Sequence, residues 1–385
     1  MSSGPRGWRI PLLLSGSATL LTLAVLGVVG EWAVRYRERT RTTVPGTMSM
    51  IFYRHSRLMH GLVRGMDYYG WVRVGRQGFR GAREVSVTPP PNVYRIIAVG
   101  GSTTFDSNTS GDSATWSSRL EQILDSVAAP LRFEVLNAGV PGFQVFDDLV
   151  RLESELYVYQ PDLIILYQGH NDLFNTLSRE PTSDSAPPFD PRPNEIPTVY
   201  PGQLWLERHS LLYHKLRSKL EAISFRSSGT ALGATVTPAA QQRTLERGSQ
   251  VFGRTVREFL AVAQSLKTKV IVPQVAFAAR PAAGAGPAGE LALTELWQRA
   301  TPFAPLPVMR QGYAMYDSAA RVAAADFRFP YVPVADSTLW GMDAYSDGDP
   351  IHFNDKGSWK MARQLADVIR RLPDVDLRRR AATTN

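Results

Sequence analysis

The segment RIIAVGGSTTFDSN, Arg95 to Asn108, contains four aliphatic residues that run directly into two glycines and a serine. A short apolar run that ends on glycine is typical of a buried strand followed by a tight turn. Three interpretations of the serine, Ser102, are open at this point. It is a nucleophile at the end of a parallel strand, a phosphate-binding hydroxyl, or the first residue of a turn.

The strand pattern returns four times along the chain. The five apolar runs are Tyr94–Val99, Phe133–Leu136, Leu163–Tyr167, Val270–Val275 and Tyr331–Val334. Between them lie stretches with apolar residues at helical spacing, such as Thr244 to Leu266. In the last stretch, DKGSWKMARQLADVIRRL, one side is formed by Trp359, Ala362, Ala366 and Ile369. Alternating strands and helices predict an α/β fold with a central parallel sheet covered on both faces.

The carboxyl ends of parallel strands are where functional residues gather in such a sheet. The first three predicted strands end in GGST, NAGVPG and YQGHND, so we expect Ser102, Gly139 and Asn171 to lie close together. Taken singly, each of them is also explained as a turn or cap residue. A phosphate loop is disfavoured because the Walker pattern needs a lysine beside the hydroxyl. A nucleophile elbow is disfavoured because Thr104 stands where G-x-S-x-G has its final glycine.

The segment DGDPIHFND near the carboxyl end supplies the groups that a nucleophilic serine needs. Asp349 and His352 are three residues apart on a turn before the final helix. One short segment therefore carries a base and the carboxylate that orients it. Asp347 is the alternative acid, because it precedes His352 on the same loop. His170, beside Asn171, is expected to line the pocket, to lie behind it or to face solvent.

Together these segments resemble the SGNH (GDSL-type) hydrolase family, named after a serine, a glycine, an asparagine and a histidine in four blocks. GGSTTF, NAGVPG, GHND and DPIH appear in the family's order over roughly residues 94 to 371. Gly101 departs from the name-giving motif, which has an aspartate there. GRQGFRG, Gly75 to Gly81, is similar to the lead-in of membrane-linked members.

The resemblance implies a three-layer α/β/α sandwich of flavodoxin-like type and a role for each site residue. Ser102 is the implied nucleophile, His352 the base, and Asp349 the residue that holds the imidazole. The backbone N–H groups of Ser102 and Gly139 and the side-chain amide of Asn171 are the implied donors to the oxyanion. No cofactor is implied. Since no trio of histidine and carboxylate residues has metal-site spacing, we also expect no metal.

Composition and charge exclude several classes of protein. The chain has 385 residues, 44% of them hydrophobic, and no cysteine, which excludes disulfides, thiolate nucleophiles and thiolate-held clusters. Residues 1–95 contain 14 arginines and four acidic residues, a net charge of +10, so the remainder carries −2 of the total of +8. A basic arm on a nearly neutral domain favours attraction to anionic lipid, and we expect no nucleic-acid partner.

The uncharged stretch from Ile10 to Gly30 is long enough to cross a bilayer as a helix. Its length favours a retained anchor, although the sequence VVG at 28–30 also fits a signal-peptide cleavage site. Two arginines precede the stretch and four follow it closely, a count that would keep the large domain in the cytoplasm. The family resemblance favours an extracytoplasmic catalytic domain instead, and both sides stay open.

The predicted organisation has five parts. They are a flank at 1–9, a transmembrane anchor at 10–30, a basic juxtamembrane arm and lead-in at 31–93, a hydrolase domain at 94–373 and a tail at 374–385. Segments of about 178–201 and 278–305, which are rich in proline or in alanine and glycine, are expected to be surface excursions.

The sequence predicts a membrane-anchored serine ester hydrolase that removes short acyl groups, such as acetyl, from a carbohydrate or lipid ester through an acyl-serine intermediate. Its expected partners are the ester substrate and membrane lipid, contacted by the N-terminal helix and the basic arm. Two alternatives stay open. One is an O-acyltransferase that uses the same three residues on a cell-surface polysaccharide, for which a lid at Ala278 to Gly289 would argue. The other is a non-catalytic, membrane-anchored binding domain.

Overall fold

The computed structural model describes most of the chain. The described residues are 9–40, 51–53, 55, 57–58, 60–128, 131–178, 209–213, 215–217, 219–220, 238–301, 304–334 and 337–375. They divide into two compact units, one formed by residues 1–53 and 195–229 and the other by residues 54–194 and 230–385.

The first unit is built on one long helix, α1 (Arg9–Arg39). Within its part from Ser17 to Arg39, an 18-residue window has a mean hydropathy of 1.7, so the helix is long and apolar enough to cross a membrane. Apolar side chains such as Leu26 and Val28 are exposed along it. Beyond the apolar part, Glu31 accepts hydrogen bonds from the backbone N–H groups of Leu211 and Leu212. The length and apolarity of α1 fit both a membrane anchor and a signal sequence.

The remaining elements follow in chain order. The strands are β1 (Phe52–Tyr53), β2 (Gly61–Leu62), β3 (Asp67–Tyr68), β4 (Val72–Arg73), β5 (Val93–Gly100), β6 (Arg132–Asn137), β7 (Leu163–Tyr167), β8 (Lys269–Pro273) and β9 (Tyr331–Val332). The helices are α2 (Ser102–Phe105), α3 (Trp116–Ala128), α4 (Val145–Arg151), α5 (His170–Ser178), α6 (Pro238–Ser265), α7 (Gly286–Ala300), α8 (Leu306–Asp326) and α9 (Asp355–Ile369).

The second unit contains a five-stranded parallel sheet in the order β6-β5-β7-β8-β9. At its centre Ile97 of β5 lies opposite Leu136 of β6 on one side and Ile164 of β7 on the other. The strand β7 is buried along its whole length, which explains why its sequence is a continuous apolar run without alternation. The five predicted strands are confirmed, with ends that differ by a few residues.

Helices flank the sheet in two groups. One group contains α3 and α9, which pack against each other, and in the other α6 packs against α4, α5 and α8. This arrangement confirms the predicted three-layer α/β/α fold. The predicted helix from Thr244 begins six residues earlier, at Pro238.

The inward side of α9 differs from the prediction at one residue. Trp359 was expected on the buried face, but 43% of it is exposed, and the Arg363 guanidinium lies 4.7 Å above its ring. Met361 and Leu365 fill the core instead. The tryptophan lies at the edge of the apolar face, where its ring covers the helix surface and reaches solvent.

The segment at 278–305, predicted as a surface excursion, contains a helix that packs on the core through one face. Ala278 is fully buried, and most of the segment forms α7, whose Trp297 is also fully buried. The Trp297 indole Nε1 donates a hydrogen bond to the Ala278 carbonyl oxygen over 2.7 Å. A large apolar side chain therefore docks this alanine- and glycine-rich stretch on the core. The other predicted excursion, 178–201, lies outside the described residues except for Ser178.

The turn after β5 gives a test of this fold. Gly100 has a φ of +149°, and a Cβ there would lie 2.2 Å from the Tyr167 carbonyl oxygen. Gly100→Ala is expected to lower the free energy of unfolding by about 3 kcal/mol or more, measured by urea denaturation of the full-length protein. Gly111 is the matched control, because its backbone is extended and a Cβ there meets nothing within 4 Å.

The Gly111→Ala variant should stay within about 0.5 kcal/mol of the wild type. Equal stability of the two alanine variants would contradict the close backbone approach that places Ser102.

Candidate active site

Ser102 is the first residue of α2, directly after the glycines that end β5. Thr104 ties this turn to the end of β7, because its Oγ1 donates a hydrogen bond to the Tyr167 carbonyl oxygen over 2.9 Å. On the same stretch, Phe105 N–H bonds to the Gly101 carbonyl oxygen over 2.9 Å. The short helix therefore presents the serine hydroxyl at the carboxyl edge of the sheet, as the sequence predicts.

His352 connects Ser102 to Asp349. The Ser102 Oγ lies 2.7 Å from His352 Nε2, and His352 Nδ1 lies 2.6 Å from Asp349 Oδ2. An ionised carboxylate accepts a hydrogen bond from the Nδ1–H, which leaves Nε2 as the acceptor for the serine hydroxyl. In this order the imidazole can take the hydroxyl proton while the carboxylate holds the ring and stabilises its positive charge.

The turn that carries Asp349 and His352 is tied to the rest of the fold by backbone hydrogen bonds. The Ala278 N–H bonds to the Pro350 carbonyl oxygen over 2.8 Å, and the Ser346 N–H to the His352 carbonyl oxygen over 3.0 Å. Asn354 caps α9 by accepting bonds from the backbone N–H groups at its start. These contacts hold the turn above the end of the sheet where Ser102 lies.

Asp349, and not Asp347, pairs with the imidazole. Asp347 is exposed, whereas Asp349 Oδ1 accepts hydrogen bonds from the backbone N–H groups of Ile351 and His352 over 2.8 and 3.0 Å. Burial raises the pKa of Asp349, but the hydrogen bonds and charge of His352 outweigh it and bring the pKa to about 2. The carboxylate is therefore ionised throughout the neutral and mildly acid range.

Asn171 lies at the first turn of α5 beside the serine turn. Its Nδ2 donates to the Phe143 carbonyl oxygen over 2.8 Å, and a Cβ on Gly101 would lie 2.5 Å from the same nitrogen. The bond to Phe143 uses one of the two N–H bonds of this amide. Among the residues that the structure describes, no acceptor lies on the second N–H.

Gly139 does not lie at the site in the way the sequence predicts. Its N–H donates to Asn137 Oδ1 over 3.0 Å, so this N–H is engaged within the protein. A Cβ at Gly139 would lie 2.2 Å from the Phe105 backbone nitrogen. Gly139 is therefore a residue of close backbone packing beneath α2, and the predicted donation from its N–H to an oxyanion has to be corrected.

Gly142 is the better-placed glycine of the same NAGVPG segment. It is partly exposed, has a φ of +89°, and precedes Phe143, whose carbonyl oxygen accepts the bond from Asn171. Within the described residues, the Gly142 N–H makes no hydrogen bond. The NAGVPG motif contains both glycines, so Gly142 was visible in the sequence. The prediction named Gly139 instead.

His170 lies behind the site and does not face a substrate. It is 4% exposed, and its Nδ1 lies 2.7 Å from the Tyr313 hydroxyl. Burial lowers the pKa of His170 to about 3, so its ring stays neutral. Of the three expectations for His170, the position behind the pocket is the one observed.

The lead-in contributes two residues that sequence analysis did not place at the site. His60 Nε2 donates to the Pro141 carbonyl oxygen over 2.8 Å, next to Gly142. Arg80 donates to the carbonyl oxygens of Phe105 and Asp106 at the end of α2, and its side chain is almost fully buried. The GRQGFRG motif contains Arg80, but its similarity to membrane-linked members gives no role to this arginine.

A metal site was not expected from the sequence. Among the residues that the structure describes, no group of three or more histidine, aspartate or glutamate side chains is arranged to hold an ion.

Comparisons with known proteins found one matching family and several similar solved structures. The model of the GDSL-like lipase/acylhydrolase family matches residues 98–360. Among solved structures, an acetylxylan esterase from Geobacillus stearothermophilus is 14% identical, with 72% of this chain and 94% of that chain covered and a TM-score of 0.40. A lipase/acylhydrolase from Enterococcus faecalis is 15% identical, with 71% and 94% covered and a TM-score of 0.39. A comparison with curated protein sequences gave no match.

The family match covers the strand ends, the serine turn and the turn with Asp349 and His352. Since it spans more than half of the chain, the protein belongs to the GDSL-like lipase/acylhydrolase family and is an ester-hydrolysing enzyme.

Proposed function

We propose that the protein is a serine esterase in which Ser102 is the nucleophile, His352 the general base and acid, and Asp349 the residue that orients the imidazole. One observation carries the proposal. Two hydrogen bonds of 2.7 and 2.6 Å join the three side chains in the order serine, histidine, aspartate. A serine hydroxyl is a weak nucleophile until an adjacent base takes its proton.

The reaction has two halves. In the first, Ser102 Oγ attacks the ester carbonyl carbon while His352 Nε2 takes the hydroxyl proton. The tetrahedral intermediate collapses, the C–O bond to the alcohol breaks, and His352 returns the proton to the leaving alkoxide. In the second half, water repeats the attack on the acyl-serine with the same proton transfers. The acid is released and the Ser102 hydroxyl is restored.

Three donors are proposed to stabilise the oxyanion of each tetrahedral intermediate. They are the backbone N–H groups of Ser102 and Gly142 and the free N–H of the Asn171 side chain. Each comes from the carboxyl end of a different strand of the sheet, which explains why three separate blocks of sequence are needed. A single donor of this kind typically contributes about 3 kcal/mol to lowering the barrier.

We propose a short acyl group, such as acetyl, on a carbohydrate or lipid alcohol. Phe143 and Ile351, on the two loops that carry the site, are buried. Large apolar side chains on both of these loops favour a small acyl group at Ser102.

The acyltransferase alternative has less support than hydrolysis. The segment proposed as its lid begins at Ala278, whose backbone is bonded to Pro350. A Cβ at Gly289 would lie 2.8 Å from Pro281, so the segment is packed on itself and on the core. A non-catalytic binding domain is disfavoured because the nucleophile, base and acid are all present and in contact.

We further propose that α1 is retained as a membrane anchor and that the hydrolase domain, residues 94–373, acts outside the cytoplasm. The exposed apolar side chains of α1 support the anchor, and the arginines in its last turn are suited to contact anionic lipid. The count of flanking arginines opposes this orientation, so the side has to be measured.

Substitution of the three residues tests the mechanism. Ser102→Ala and His352→Ala should each abolish hydrolysis of a short-chain aryl acetate to the same extent, because the two side chains act as a unit. Asp349→Asn should lower kcat by about 10³- to 10⁴-fold, because the imidazole loses its orienting partner. The matched control is Asp347→Asn, an exposed acid on the same loop, which should keep the wild-type rate. A His352→Ala enzyme that retains most of its activity would discard the mechanism.

Protease treatment of intact cells tests the topology. A protease that cannot cross the membrane should digest the large domain and leave a cytoplasmic marker protein intact, because the domain is proposed to be exported. Permeabilised cells, in which both proteins are digested, provide the control. Full protection of the domain in intact cells would place it in the cytoplasm.

A further inference from the structure

The side chain of Asn108 lies against the carboxylate of Asp349. Its Nδ2 donates a hydrogen bond to Asp349 Oδ2 over 3.1 Å. The same oxygen accepts the bond from His352 Nδ1. Asn108 comes shortly after Ser102, and the chain turns back between them at Asp106, which has a φ of +65°. One carboxylate oxygen therefore links the imidazole to the segment that carries the serine.

The other hydrogen bonds to Asp349 come from its own turn. Oδ1 accepts from the backbone N–H groups of Ile351 and His352. These donors move with the carboxylate, so they fix its orientation within the turn but not its position relative to Ser102. Among the residues that the structure describes, Asn108 is the one donor to this carboxylate from outside the turn.

The backbone on both sides of Asn108 is held by contacts with the start of α9. Asp106 accepts a hydrogen bond from the Ser358 hydroxyl over 2.7 Å. Ser110 donates to Asp355 through its N–H over 2.8 Å and through its hydroxyl over 2.5 Å. The segment therefore keeps its place without the Asn108 amide. Loss of that amide should release the carboxylate and leave the segment folded.

We propose that Asn108 is a positioning residue that holds Asp349 in register with Ser102. A neutral donor on Oδ2 also limits how strongly the carboxylate favours the protonated form of the neighbouring imidazole. Asn108 acts through Asp349 and does not contact the reacting atoms. The inference rests on the proposed roles of Ser102, His352 and Asp349.

The test compares two Asn108 variants of the full-length protein on a short-chain aryl acetate. Asn108→Ala should lower kcat by about tenfold with little change in KM, because the substrate contacts remain and only the alignment of the acid is lost. Asn108→Asp preserves the shape but places a second carboxylate beside Asp349 Oδ2, the oxygen that is bonded to the imidazole. The added negative charge favours the protonated ring, so the acid limb of the pH–rate profile should move up by about one pH unit.

Ser110→Ala is the matched control, because it removes a hydrogen bond of the same segment without touching Asp349. It should keep the wild-type kcat and pH profile. A wild-type kcat and an unshifted acid limb in both Asn108 variants would overturn the inference, as would equal losses in Ser110→Ala. The aspartate side chain has nearly the same volume as asparagine. If Asn108→Ala does not fold, the pH–rate profile of Asn108→Asp still tests the inference.

Asp349→Asn is measured under the same conditions. It distinguishes a failure of the proposed mechanism from a failure of the proposed role of Asn108. If Asp349→Asn retains the wild-type rate, the proposed mechanism is wrong and the role of Asn108 falls with it. If Asp349→Asn loses activity while both Asn108 variants behave as wild type, only the role of Asn108 is wrong.

Discussion

The backbone from the end of β5 into α2 is packed directly against two other strand ends, and this steric constraint underlies the rest of the site. A Cβ at Gly100 would lie 2.2 Å from the Tyr167 carbonyl oxygen, and one at Gly139 would lie 2.2 Å from the Phe105 nitrogen. Real side chains do not fit at these distances, so both positions need glycine. The close approach brings Ser102 within reach of the loops after β6 and β7.

A second set of contacts joins the serine turn to the carboxyl-terminal block. His352 and Asp349 come from a turn 250 residues later in the chain. The segment after α2 is bonded to that block at alternate residues, through Asp106, Asn108 and Ser110. Hydrogen bonds to ionised groups are stronger than those between neutral groups, and several of these involve a carboxylate. Of these contacts, the one from Asn108 reaches the proposed triad itself, at Asp349.

The fold and most of the site could be predicted from local patterns. Continuous apolar runs gave the five strands, and glycine beside a polar residue at their ends gave Ser102 and Asn171. The orientation of a single N–H could not be predicted, because that of Gly139 depends on the Asn137 side chain. The helix within 278–305 was missed because alanine, glycine and proline obscure it, and the buried Trp297 docks it.

The contacts of Arg80 and His60 also could not be predicted from local sequence patterns. Both precede β5 in the sequence, yet their side chains bond to carbonyl oxygens around the site. A contact of this kind is set by tertiary packing, and neither residue belongs to a periodic pattern that would indicate it. The exposure of Trp359 has a related cause, since helical spacing identifies the buried face but not where its edge meets solvent.

The central claim is that His352 activates the hydroxyl of Ser102, and covalent labelling tests it most directly. The full-length protein would be treated with a fluorophosphonate, and the modified residue identified by peptide mass spectrometry. The account predicts a single adduct on Ser102, formed at least about 10³-fold more slowly in His352→Ala. An adduct on Ser107 or Ser110 instead, or equal labelling of Ser102 in the two proteins, would contradict it.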